Sequence, residues 1–130
     1  MQLYLEGDTL VKDVQLKFNF FYPYLQLQFF RNSEGQNKPG QKLQIANPHL
    51  PIDKFAQFYM PVNISISNKT TVSDLIKNFK KVGLIVQVCR KSGNLWVETC
   101  LTDDWTLERQ NNEAFLLTIP HKRSFSEKRG

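Results

Sequence analysis

LYLEGDTLVKDVQLKF, Leu3 to Phe18, and ISISNKTTVSDLIKNF, Ile64 to Phe79, carry one hydrophobic pattern twice. With the chain shifted by 61 residues along itself, Thr9, Val11, Asp13 and Phe18 fall on Thr70, Val72, Asp74 and Phe79. The alignment runs on without a gap, and Leu25-Gln26-Leu27 falls on Val86-Gln87-Val88. The identities are few. The pattern is the stronger signal, because it persists through three successive elements.

Each copy has the same grammar. Leu3 and Leu5, or Ile64 and Ile66, alternate with polar residues as in a strand with one buried face. After a polar turn, Val11, Val14, Phe18 and Phe21 recur at helical spacing, as do Val72, Leu75, Ile76, Phe79 and Val82. Thr71 followed by Asp74 resembles a capping box. Pro23 and Gly83 stand where the helices should stop. YLQLQFF and LIVQVCR then read as second strands. Two β-α-β units, each with a right-handed crossover between parallel strands, predict an α+β domain with a ferredoxin-like split β-α-β sheet and helices on one face. A β-grasp (ubiquitin-like) fold is the alternative.

The rest of the chain is placed around these units. The repeat halves are 3–31 and 64–92, joined by a long connection, 32–61, within one domain, 1–120; a basic flexible tail, 121–130, follows. In the second half KSGN, Lys91 to Asn94, is turn chemistry, and LWVETCL after it alternates, which adds a hairpin. In the connection, RNSEGQNKPGQK reads as mobile loop. PIDKFAQFYMP reads as a short helix with Pro51 near its start and Phe55, Phe58 and Tyr59 facing the core. AFLLTI, Ala114 to Ile119, is apolar enough for another strand.

Composition narrows the class. The 130 residues are 41% hydrophobic and 22% charged, which suits one globular domain with a real core. No apolar run approaches the roughly 20 residues of a membrane span. MQLYLEGDTL lacks a basic region followed by an apolar one, so a cytoplasmic protein is expected. Of the net charge of +5, the last ten residues carry +3, so the body is nearly balanced. Cys89 and Cys100 fit no zinc spacing. On neighbouring strands they could form a disulfide; the plainer expectation is two small buried thiols.

Catalytic chemistry finds little support. His49 and His121 are the only histidines, one in a Pro-rich loop and one in the tail. P-loop, GxGxxG, HExxH and EF-hand patterns are absent, and no cofactor is expected. The weak candidates are Glu98, Asp103, Asp104 and Glu108, which could do acid-base work or hold a hard cation. Capping explains them more economically: Thr102 or Asp103 starts a short helix, Asp104 complements its dipole, and Trp105 and Leu107 pack at its start. A nucleic-acid binder would stack bases on Tyr4, Phe29, Phe30 or Trp96 of an open sheet face and use the basic tail, but no RNP1 pattern is present. A protein partner, or a second copy, would meet Trp96, Glu98, Asp103, Asp104 and Trp105, or the strand edge at Ala114 to Ile119.

The stretch GNLWVETCLTDDWTLERQN, Gly93 to Asn111, resembles a family of short, uncharacterised bacterial proteins with the pattern VQVxRKSGNxWxETxxTDDWTLExQN. Thr71-Val72 with Leu75, Val86 to Asn94, Trp96, Glu98-Thr99 and Thr102 to Asn111 carry the likeness, and Tyr24-Leu25 with Phe29-Phe30 extend it. It spans most of the chain up to about Ile119. Cys89 stands where the pattern has an aromatic residue, and Cys100 where it has a small one. The resemblance implies no activity. The expectation is therefore a non-enzymatic protein-interaction or ligand-binding module without a membrane span. The alternatives are a nucleic-acid-binding domain and, less so, a small enzyme using Glu98, Asp103 and Asp104.

Overall fold

A computed structural model describes residues 1–32, 42–54 and 61–127. In chain order the elements are β1 (Gln2–Leu5), α1 (Val11–Phe21), β2 (Leu25–Asn32), β3 (Lys42–Gln44), β4 (Val62–Ser65), α2 (Val72–Lys81), β5 (Ile85–Ser92), β6 (Leu95–Glu98) and α3 (Leu107–Glu127). Short 3-10 turns at Ile52–Lys54 and Cys100–Thr102 precede β4 and α3. The class is α+β, as the pattern predicts.

The helices form where the apolar spacing places them. Val11, Val14 and Phe18 of α1 and Val72, Leu75 and Phe79 of α2 are buried, while Phe21, expected on the same stripe, is exposed. The Thr71 hydroxyl accepts from the Asp74 N–H at 3.1 Å, so the capping half of the predicted box is present. Gly83, at φ 80°, lets the chain leave α2 in a conformation that a Cβ would disfavour.

The strand pairing departs from the predicted single sheet. Among the described residues β1 pairs only with β4, and β2 pairs with β5 in a separate sheet of order β3-β2-β5-β6; each of these pairs is antiparallel. In a ferredoxin-like sheet the second strands of the two units lie apart, at its edges. Here they join along six residue pairs, Leu25↔Arg90 to Phe30↔Ile85, and so cannot share one sheet with β1 and β4 in that order. The parallel pair of a β-grasp sheet is likewise absent among the described residues.

The register explains the repeat. Leu3 lies opposite Ile64, and Leu27 lies opposite Val88; both pairs are 61 residues apart, the offset of the sequence repeat. β1 and β2 have therefore each paired with their own counterpart in the second half, β4 and β5. Leu25, Leu27, Phe29, Val86 and Val88 form one core with Leu3, Leu5, Ile64, Ile66 and the buried helix residues. Alternation sends Gln26, Gln28, Gln87 and Lys91 to the opposite, half-buried face.

Open strand edges are a hazard, and one is covered. Beyond β3, the outer carbonyls of β2 at Leu25 and Leu27 accept from the side-chain amides of Asn19 and Gln15, each at 2.9 Å.

Four further segments can be set against expectation. Ala114 to Ile119 is helical, not a strand, because α3 runs unbroken across it and buries Ala114. The same helix continues to Glu127, into the stretch expected to be a flexible tail. RNSEGQNKPGQK, expected as loop, has structure at both ends: Arg31 and Asn32 lie in β2 and Lys42 opens β3, paired Arg31↔Leu43 and Asn32↔Lys42. Of the expected helix after Pro51, Ile52–Lys54 forms a 3-10 turn, and Phe55, Phe58 and Tyr59 lie outside the described residues.

Candidate functional site

The stretch from Gly93 to Asn111 does two separable jobs. Gly93, at φ 62°, and Asn94 form a two-residue turn of the kind that takes glycine first. β6 follows, paired Ser92↔Leu95, Lys91↔Trp96, Arg90↔Val97 and Cys89↔Glu98. At Thr99 the chain bends inward. The Thr99 N–H and hydroxyl both donate to the Val88 carbonyl, at 3.2 and 2.8 Å, and the side chain is buried.

From there the chain docks on the start of α2. Val72 and Ser73 N–H donate to the Trp105 and Asp103 carbonyls at 3.1 and 2.8 Å. Leu107 and Glu108 N–H donate back to the Thr70 and Asn68 carbonyls at 2.8 and 3.3 Å. The same lattice exists in the first half. Val11 and Lys12 N–H donate to the Leu50 and Pro48 carbonyls at 3.0 and 2.8 Å, and Ile52 and Asp53 N–H donate to Thr9 and Gly7 at 2.8 and 3.2 Å. Adding 61 on the helix side and 55 on the docking side turns one set into the other. TDDWTLE, Thr102 to Glu108, is thus the structural counterpart of NPHLPID, Asn47 to Asp53.

This placement accounts for most of the predicted acidic site. Asp103 and Trp105 dock through backbone carbonyls, which any residue supplies. Thr106, rather than Thr102 or Asp103, caps the helix, accepting from the Arg109 N–H at 3.1 Å. The N–H groups of Leu107 through Gln110 all have acceptors, so the start of α3 is already satisfied. Gln110 is fully buried; its amide donates to the Thr102 carbonyl and hydroxyl at 2.7 and 2.8 Å, and its oxygen accepts from Arg90 Nη1 at 3.1 Å. Asn111 accepts from the Tyr24 N–H at 2.9 Å. Two guanidiniums lie over the Trp105 ring, Arg109 at 3.8 Å and Arg90 at 5.5 Å from its centroid.

The two tryptophans face different ways. Trp96 lies across from Lys91, whose ammonium sits 6.0 Å from the ring, while Trp105 is on the side of Arg90. Consecutive strand residues point to opposite faces, so the two rings do not make one surface. Asp103 and Asp104 are exposed. Glu98 is exposed and accepts from Cys100 Sγ at 3.7 Å. Among the described residues no three His, Cys, Asp or Glu side chains come together to hold a metal ion.

Both cysteines are free; Cys89 is buried, but Cys100, expected to be buried too, is exposed. Burial, then Glu98 and Cys100, push the Cys89 thiol up to about 11. Burial and Glu108 also raise Tyr22, whose hydroxyl donates to Asn68 Oδ1 at 3.0 Å.

Of the expected stacking rings, Phe29 is in the core and Tyr4 is on the other sheet. What sequence alternation missed is the state of β6. LWVETCL predicts one buried face, yet all four strand residues are exposed: Leu95 by 68%, Trp96 by 38% and Val97 by 36%, beside Glu98. Leu101, just past the strand, is 99% exposed. Among the described residues β6 is the edge of its sheet, with β5 on one side only.

No family model matches the chain, and neither does any curated protein or solved structure.

Proposed function

We propose that this chain is a non-enzymatic protein-interaction module, and that the open edge of β6 is its binding element. One observation carries the proposal: an edge strand exposed on both faces, bearing Leu95, Trp96 and Val97, with Leu101 beside its end. Scattered exposed apolar residues are ordinary, but a run of them along an open strand edge is the feature that strand addition uses. The backbone geometry supports it. Ser92 and Leu95 close the two-residue turn as a hydrogen-bonded pair, and Thr99 N–H points to β5. By alternation Trp96 and Glu98 turn their N–H and C=O groups outward. Lys91 N–H, opposite Trp96, points the other way, to the Tyr24 carbonyl at 2.9 Å.

The nucleic-acid reading has less behind it, since two of its proposed stacking rings are not on this face. The enzymatic reading has less behind it, since Glu98, Asp103 and Asp104 are exposed and no three His, Cys, Asp or Glu side chains come together among the described residues.

A photo-reactive residue at Val97, compared with one at Phe20 on the exposed face of α1, tests the proposal in the producing cell. Adducts with a protein, this chain included, at position 97 and not at position 20 are expected. Adducts only at position 20, or at neither, would overturn it.

A further inference from the structure

Resting on the β6 reading, we infer that the partner at this edge is a second copy of the chain, paired antiparallel about a two-fold axis at Val97. The edge is self-complementary in that register and in few others. Two-fold pairing of β6 must be centred on a strand residue whose neighbours can offer their outward groups. Centred on Val97, Trp96 of each copy lies opposite Glu98 of the other, and both residues already face outward. That gives four backbone bonds using strand residues alone. Centred on Trp96, the outer bonds fall to Asn94, which belongs to the turn.

The side chains agree with this choice. Val97 meets Val97 of the second copy on the face that also carries Arg90. On the other face the row reads Lys91, Trp96, then Glu98 of the second copy, and the two-fold repeats it in reverse. Lys91 already lies 6.0 Å from the Trp96 ring, so the incoming carboxylate completes a plus, aromatic, minus sequence twice per dimer. Leu95 comes opposite Thr99 of the second copy, where that strand ends. Leu95, Trp96 and Val97 thus all lie along the seam, and the product is one continuous sheet, β3-β2-β5-β6 followed by its reverse. The contrast with β2 is informative: its free carbonyls are capped by Gln15 and Asn19, whereas no side chain among the described residues bonds the β6 backbone.

The test uses the full chain. Sedimentation of wild type at high micromolar concentration should give a dimer. Glu98→Lys should weaken it at least tenfold, and adding Lys91→Glu should restore it. In a Cys89→Ala, Cys100→Ser background, Val97→Cys should oxidise to a covalent dimer, since non-hydrogen-bonded partners stand about 4.5 Å apart at Cα. Leu95→Cys should not. Circular dichroism of every variant separates lost pairing from lost folding, and wild-type sedimentation stands if the cysteine background fails to fold. A wild-type monomer, or a ladder of larger species from β6 pairing with β3, overturns the inference. A monomer that still crosslinks other proteins at position 97 removes the second copy but keeps the interaction module; a monomer without such adducts removes both.

Discussion

Gln110→Ala should be among the most damaging single changes in the polar part of this protein. The side chain is fully buried and makes three hydrogen bonds, two to Thr102 and one from Arg90 Nη1. Thr102 survives the loss, because its carbonyl also accepts from Trp105 N–H at 3.0 Å. Arg90 does not. Its buried Nε already lacks a partner, so removing the Gln110 oxygen strips the guanidinium further. A hydrogen bond to a charged group is worth about 1.5–3 kcal/mol, and the vacated volume adds about 1 kcal/mol. The sum is a loss of about 3 kcal/mol, or a fall in Tm of about 10 °C for a chain of this size. Urea unfolding at constant m-value measures it. Gln110→Met fills the volume without the polarity and should cost about 2 kcal/mol, within the range for the polar part alone. Arg90→Met in that background should recover part of the loss, by removing the unpaired charge. If Gln110→Met stays within about 0.5 kcal/mol of wild type, the Arg90–Gln110–Thr102 chain contributes nothing and the reasoning fails.

Three further outcomes are expected. Thr71→Ala should cost about 1 kcal/mol in urea unfolding by removing the cap on α2, and Thr71→Ser should restore most of it. Gly93→Ala should cost about 1 kcal/mol although nothing crowds the site, because the strain is in its positive φ; Asn there should cost less. Stability should fall at alkaline pH through Cys89. Its folded pKa is raised from 9.0 to about 11, so the neutral thiol is the favoured folded form. Its contribution is complete below about pH 9 and is lost as pH rises through about 11, approaching about 2–3 kcal/mol. Cys89→Ala should flatten the difference between pH 8 and 11 unfolding curves; equal slopes in both proteins would refute the assignment.

The local elements were legible because local spacing determines them. Val11, Val14 and Phe18 specify a helical face, Leu3 and Leu5 a strand face, and Thr71 a start, without reference to the rest of the chain. The pairing was not legible. A β-α-β unit says that two strands are joined, but it does not say whether its second strand lies beside the first or beside its counterpart in the other half. The eight-residue length of β2 and β5, with apolar residues at matching positions, favours the second outcome, and only the register exposes it. AFLLTI misled for a related reason. Five apolar residues in a run of six fit a strand or a buried helix equally well, and the capping Thr106 upstream decides for the helix.

The site was half legible for a different reason. The repeat was visible at an offset of 61 and disappeared after β5, because the docking segments stand at an offset of 55. The connection leading to the first of them is six residues longer. With both offsets in hand, Leu50 corresponds to Trp105, Lys54 to Arg109, and Ile52 to Leu107; Ile52 and Leu107 are fully buried. Where the side chain packs inward the halves agree in character. Where only the backbone docks they diverge, Pro48 against Asp103 and His49 against Asp104. Such divergence is what carbonyl docking permits, and it leaves the carboxylates of Asp103 and Asp104 exposed. The same comparison leaves β6 unexplained by the fold. β2 has its open carbonyls capped from α1, and the docking segments are hydrogen-bonded to the helix starts, whereas no described side chain bonds the outward backbone groups of Trp96 and Glu98, and Leu95 and Leu101 nearby are exposed. The open part of the stretch among the described residues is therefore its strand edge, which is where the proposed binding is to be tested.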